Sequence, residues 1–151
     1  MPHVRPTALT LLGFDYGKRR TGVAVGQTIT RTATPLETLS CNGAEPDWLI
    51  VGHLIEQWQP QALVVGVPVV TKSQGKELIR LIQRFCGSLG NRYGLPVYTC
   101  DESYTSAEAY QQLKEMRRAG HSKKIAKEKI DSLAAAILLE AWMASPAPIS
   151  N

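Results

Sequence analysis

The chain lacks most of the features that would settle its class at a glance. No apolar run approaches the roughly 20 residues of a membrane span, and the opening MPHVRPTALT has no apolar core of the kind a secretory signal needs. Cysteine is scarce: Cys41, Cys86 and Cys100 are an odd number, widely spaced, with no CxxC pair. A disulfide framework is therefore not expected, and neither a cysteine nor a histidine cluster suggests a zinc site. Reduced thiols in packing positions and a cytoplasmic setting are the expectation. Internal repeats and low-complexity tracts are absent too. What remains is an ordinary globular chain of 151 residues, expected to form a single domain over 1–151 with flexible ends at 1–7 and 145–151.

Charge is modest in sum and uneven in place. The net value is +4, yet Lys114, Arg117, Arg118, Lys123, Lys124, Lys127 and Lys129 crowd one segment with only Glu115 and Glu128 opposing them. A second group, Lys18-Arg19-Arg20, follows Asp15 directly. A basic run alone usually marks a solvated helical face. Here each basic group adjoins a candidate carboxylate, as expected of a site that handles a phosphate-rich partner.

The apolar pattern predicts an order of elements. Strands are expected over about 8–15 and 20–26, with a third, edge-like strand over Thr30 to Thr38, where Pro35 fits an edge better than a centre. Cys41 to Glu45 reads as a loop. Pro46-Asp47 begins a helix to about Gln59, with Trp48, Leu49, Ile55 and Trp58 on its apolar face and Pro60 as its stop. ALVVG at 62–66 is a short central strand, and residues 69–75 form a loop carrying Lys72. Leu78, Leu81, Ile82, Phe85 and Leu89 mark an amphipathic helix over 76–91. Val97 to Cys100 is a last strand. A helix from Ser106 to about Ala119 and another from about Lys124 to Ala144 complete the order β-β-β-α-β-α-β-α-α. That order predicts an α/β fold, a ribonuclease H-like mixed five-stranded sheet with helices on both faces.

Three acids fall at comparable places in this scheme. Asp15 ends the first strand, either as a turn residue bonding its own backbone or as a charge aimed at a partner. Asp101-Glu102 ends the last strand, and either residue could face the site. Asp131 lies in KIDSLAAAILLEAW, bordering a face made by Ile130, Leu133, Ala134, Ile137, Leu138 and Ala141. It is either a half-exposed acid paired with Lys127 or a member of a shared site, with Ala134 and Ala135 letting the helix approach a sheet. Converging carboxylates repel unless a cation neutralises them, and hard oxygen donors without imidazole or thiolate suit Mg²⁺ or Mn²⁺. Phosphodiester hydrolysis is the chemistry suited to such a cluster, with two metals about 3.5–4 Å apart holding the attacking water and the leaving oxygen in line.

The segments FDYGKRRTGVAVG, VVGVP, DESYTSAEA and KEKIDSLAAAILLE, in that order and spacing, resemble the YqgF/RuvX family. That family is described as Holliday junction resolvases and as pre-16S rRNA processing nucleases. The resemblance covers about residues 9–143 and implies a ribonuclease H-like fold with an acidic metal site. By motif it implies Asp15, Glu102 and Asp131 as catalytic metal ligands. Ser103 stands where the family commonly has Arg, and the 69–75 loop departs from the family pattern; Lys72 or Arg20 could compensate. On this reading Lys18, Arg19, Arg20, Lys72, Arg117, Arg118, Lys123, Lys124 and Lys127 contact a nucleic-acid backbone. The implied partner is structured RNA, a ribosomal RNA precursor first, or else branched DNA; no membrane is involved, and a homodimer is left open.

Two other classes compete. Asp15-Tyr16-Gly17 also resembles the phosphate hairpin of actin and sugar-kinase ATPases, which clamp ATP between two such domains where this chain supplies one. A non-catalytic nucleic-acid-binding module, with structural acids, is the other.

Overall fold

The computed structural model describes residues 9–68, 72–101 and 124–144, without the side chains of 72–74 and 124–128. Its elements are β1 (Thr10–Asp15), β2 (Arg20–Gln27), β3 (Thr32–Asn42), β4 (Glu45–Pro46), α1 (Trp48–Trp58), β5 (Ala62–Val67), α2 (Lys72–Tyr93), β6 (Val97–Asp101) and α3 (Lys124–Ala144). The expected helix over 106–119 and both expected flexible ends lie outside the described residues. None of the described helices is long and apolar enough to cross a membrane.

The strands form one sheet in the order β4-β3-β2-β1-β5-β6. β1, β2 and β3 are an antiparallel meander, while β5 runs parallel to β1 and β6 parallel to β5. The expected mixed sheet is present with six strands rather than five. The sixth arises because β3 continues through Cys41 and Asn42, then turns back at Gly43-Ala44, both at positive φ (59° and 68°), to pair Glu45 and Pro46 with its own end. Gly43 is the residue suited to such a tight reversal. Pro35 sits in the expected third strand, where register slips: Val23 faces Glu37 but Ala24 faces Pro35, leaving Leu36 as the extra residue of a bulge.

Alternation along the strands divides the core in two. Leu12, Phe14 and Tyr16 of the first strand and its exit, with Val23, Val25, Leu63 and Val65, pack against α1 and α2. Leu9, Leu11, Ala24, Ala62, Val64 and Cys100 face α3 instead. On the first side, Ile82, Phe85 and Leu89 of α2 are buried as their spacing predicts. Phe85 stacks at its centre, 5.5 Å from Phe14 and 5.1 Å from Tyr16 between ring centroids. That helix begins at residue 72, so position 72 opens a helix rather than riding on a loop.

α1 keeps most of its expected apolar face: Trp48, Ile55 and Trp58 pack partly buried against the core. Val51 and Leu54 are its buried residues, however, and Leu49 is exposed, on the turn away from them. Asp47 is the N-cap, its carboxylate accepting from Leu49 N at 3.1 Å, and Gln59, in the left-handed region, ends the helix ahead of Pro60. Asp47→Ala is expected to cost about 1 kcal/mol, seen as a lower denaturant midpoint with an unchanged slope.

Candidate active site

The site lies where α3 crosses the sheet, and its shape comes from missing side chains. Gly13, Gly22, Gly26 and Gly66 all face α3. A Cβ on Gly13 would meet Leu139 Cγ at 2.3 Å, and one on Gly66 would meet Leu138 Cδ2 at 2.7 Å. At Gly22 the contact is with main chain, 2.0 Å to the Asp131 carbonyl oxygen and 2.8 Å to Ser132 N. The helix therefore rests directly on β2. Small alanines on α3 were expected to permit close approach; the larger concession is made by the sheet.

This seating corrects the reading of α3. Its sheet-facing stripe is Asp131, Ala135, Leu138, Leu139 and Trp142, at i, i+4, i+7, i+8 and i+11. Ile130, Leu133, Ala134 and Ile137 belong to a separate flank. Asp131 thus heads the stripe rather than bordering it, and it is 7% exposed, not half-exposed.

Asp15 meets it from the other side. It shares the α3-facing register of Leu9, Leu11 and Gly13, and its cross-strand partner is Gly22, the residue on which the Asp131 main chain rests. Asp15 and Asp131 therefore approach the same point of the sheet from β1 and from α3. Arg20, two residues before Gly22 and on the same face, donates from Nε to Asp131 Oδ2 at 2.7 Å. A buried carboxylate needs such a partner to stay ionised. The sequence reading assigned Arg20 to nucleic acid and did not foresee its bond to Asp131.

The connection between β1 and β2 holds these groups in place. Gly17 is required there, since a Cβ would lie 2.5 Å from the Arg20 carbonyl oxygen. Tyr16 OH donates to the Ala44 carbonyl at 2.6 Å, and Cys41 N donates to the Arg19 carbonyl at 2.8 Å. Thr21, fully buried, shares a hydrogen bond with Cys41 Sγ at 3.3 Å. Burial pushes the Cys41 and Cys86 thiols upward, so both are neutral at pH 7, without the thiolate that a nucleophile or soft-metal ligand requires. The cysteines are free, as expected.

The other candidates divide. Tyr98 and Cys100 of β6 face α3, with the Tyr98 ring 5.5 Å from Trp142 and Cys100 Sγ donating to the Leu138 carbonyl at 3.9 Å. Asp101, one residue on, is exposed and takes the opposite register, away from Asp15 and Asp131. Lys18 reaches toward α2, pairing with Glu77 at 3.2 Å in an exposed contact, and Arg19 is exposed. Lys124 and Lys127 lie in the first turns of α3, as Lys72 does in α2. Glu102, Arg117, Arg118 and Lys123 lie outside the described residues. Among the described residues, no group of three or more His, Cys, Asp or Glu is placed to hold a metal ion.

A family profile described as "RuvX: Holliday junction resolvase" matches residues 9–145. The chain belongs to the RuvX family. A relative from Azotobacter vinelandii, named "Putative pre-16S rRNA nuclease", is 44% identical over 89% of this chain and 92% of its own length. One of the same name from Legionella pneumophila is 40% identical over 87% and 93%. Among solved structures, the yeast mitochondrial Holliday junction resolvase Ydc2 aligns with a TM-score of 0.54 at 14% identity, covering 93% of this chain and 79% of its own. The Thermus thermophilus RuvC complex with a Holliday junction aligns at 0.51 and 18% identity, covering 87% and 91%. These likenesses establish the fold as ribonuclease H-like. As a RuvX-family member the chain is a nuclease, a hydrolase of phosphodiester bonds.

Proposed function

We propose that this RuvX-family chain is a divalent-metal-dependent nuclease that acts in the cytoplasm on the 5′ end of the 16S rRNA precursor. Its catalytic metal ligands are Asp15, Glu102 and Asp131. The observation that carries the reading is the meeting of Asp15 and Asp131 at Gly22, on one face of the sheet, from strands and helix far apart in sequence. Asp101 faces the other way, which supports the choice of Glu102 as the ligand from the end of β6.

The donor set fits Mg²⁺ or Mn²⁺. It consists of hard carboxylate oxygens, and burial keeps the Cys41 thiol, which shares a hydrogen bond with Thr21, neutral. A divalent cation bound there would supply a lowered pKa for water and stabilisation of the leaving oxygen. The chain's own contribution is placement. Asp15 is fixed by the β1 ladder, and Asp131 by the seating of α3 on Gly22 and by the Arg20 bond. Arg20 also offsets one carboxylate charge in a site that must admit a phosphodiester. Lys18, Arg19, Lys72, Arg117, Arg118, Lys123, Lys124 and Lys127 are proposed to position the backbone and carry no sequence information. The rRNA substrate is supported by the names of the two relatives. The family description supports a second reading, branched DNA as substrate.

One assay separates these readings. Purified protein is incubated with a labelled 5′-extended rRNA precursor and with a labelled four-way DNA junction, each with Mn²⁺, with Mg²⁺ and with chelator. Metal-dependent cutting of the rRNA alone is the expected result. Cutting of the junction alone would transfer the substrate to DNA. Tight binding of either without cutting would overturn the metal-nuclease proposal in favour of a binding module.

A further inference from the structure

We infer that Arg20 seats a substrate phosphate inside the acidic site, its guanidinium shared between Asp131 and the nucleic-acid backbone. The phosphate's identity as part of a nucleic acid rests on the nuclease reading above; the geometry of the seat does not. Arginine carries five N–H donors in a rigid fork. In this structure Nε is committed to Asp131 Oδ2 at 2.7 Å, and among the described residues the Nη groups donate to nothing. The side chain is 32% exposed while its partner is 10% exposed, so the pair is anchored on its inner side and open on its outer side.

Two features make the outer edge a phosphate site rather than an idle surface. The first is electrostatic. An approaching phosphodiester is repelled by Asp15 and Asp131, and Arg20 is the cation that the described contacts tie to Asp131; Lys18 is drawn to Glu77 on the α2 side. The second is entropic. Arg20 is the first residue of β2, held behind the tight Gly17 turn and pinned by its Nε bond. Its planar head is already oriented, so little rotamer freedom is lost when a phosphate oxygen binds the free edge. A lysine in this place would be a point charge that could serve the carboxylate or the phosphate, but not both in one plane. Arg20 therefore contributes to binding before any metal is present.

The test uses the full chain in chelator, where nothing is cut, and measures the dissociation constant of the labelled rRNA precursor and of the four-way junction across a series of KCl concentrations. Arg20→Gln is expected to weaken binding of the better ligand roughly tenfold. The slope of log K against log salt should become shallower by about 0.7–0.9. Arg20→Lys should restore the slope without restoring the affinity. Wild-type affinity and slope in Arg20→Gln, accompanied only by a lower melting temperature, would reduce Arg20 to a structural partner of Asp131. Full wild-type affinity in Arg20→Lys would also overturn the proposal, since charge without the fork would then suffice. No binding of either ligand by the wild type would overturn it as well. Because cleavage is read separately with metal, Arg20-dependent binding in a protein that never cuts would leave this seat standing and remove the nuclease proposal.

Discussion

Asp15→Asn is expected to lower metal-dependent cleavage by about 100-fold or more while leaving the protein folded. A ligand shared by metals that stabilise charge in the transition state is worth several kcal/mol, and each 1.36 kcal/mol is about tenfold in rate. The substitution keeps the size of the side chain and removes only its charge. Asp15 sits at the open end of β1 and is partly exposed, and its neighbour across the site is another carboxylate, Asp131. The stabilisation that Mn²⁺ gives the wild type should be lost. Wild-type cleavage rates in this variant would sink the proposed site.

A single methyl group added at Gly22 is expected to do comparable damage by another route. The new Cβ would fall 2.0 Å from the Asp131 carbonyl oxygen and 2.3 Å from its carbon. Those are helix main-chain atoms, with no rotamer to turn aside. α3 must then lift from the sheet, loosening Leu138 and Leu139 and carrying Asp131 away from Asp15 and Arg20. Overpacking in a core costs about 1–3 kcal/mol and sometimes more, and Gly22→Ala belongs at the upper end, with activity lost along with stability. Gly87→Ala is the matched control. That glycine is exposed in α2, a Cβ there meets nothing within 4 Å, and the change should stabilise by about 0.5–1 kcal/mol. Equal melting temperatures for the two variants would mean that α3 is not seated on Gly22.

The contrast between these glycines shows what a sequence can and cannot display. Strand alternation is local, so the placing of Leu11, Phe14, Val23 and Val64 in the core, and of Asp15 at a strand end, could be read from neighbouring residues. The spacing of Leu78, Ile82, Phe85 and Leu89 likewise carried the face of α2. Gly13, Gly22 and Gly66 act through atoms they do not have, against a helix more than a hundred, or in the case of Gly66 some seventy, positions later; no local pattern marks that. The same distance hid the Arg20–Asp131 bond, so Arg20 looked like one more member of a basic run. The face of α3 was misjudged for a related reason. Nearly every residue from Ile130 to Met143 is apolar or buried, and periodicity fades when a helix is covered on several sides. The β3–β4 hairpin, by contrast, had a readable signal in Asn42-Gly43, masked by the polar residues around it.

The seating of α3 also bears on when the enzyme can become active. Arg20 and Asp131 are 111 positions apart, so the whole stretch between them must be made before the bond can form. The β1–β2–β3 meander closes through near-neighbour contacts and can form early, but its α3-facing side is then a bare, glycine-lined surface awaiting cover. Long-range contacts of this kind form late because the intervening chain must first lose its freedom. A nascent or truncated chain therefore has Asp15 without Asp131. If the site is as proposed, an enzyme built to cut nucleic acid is in this way kept harmless until α3 has been made and seated, with completion of the fold serving as the safety catch.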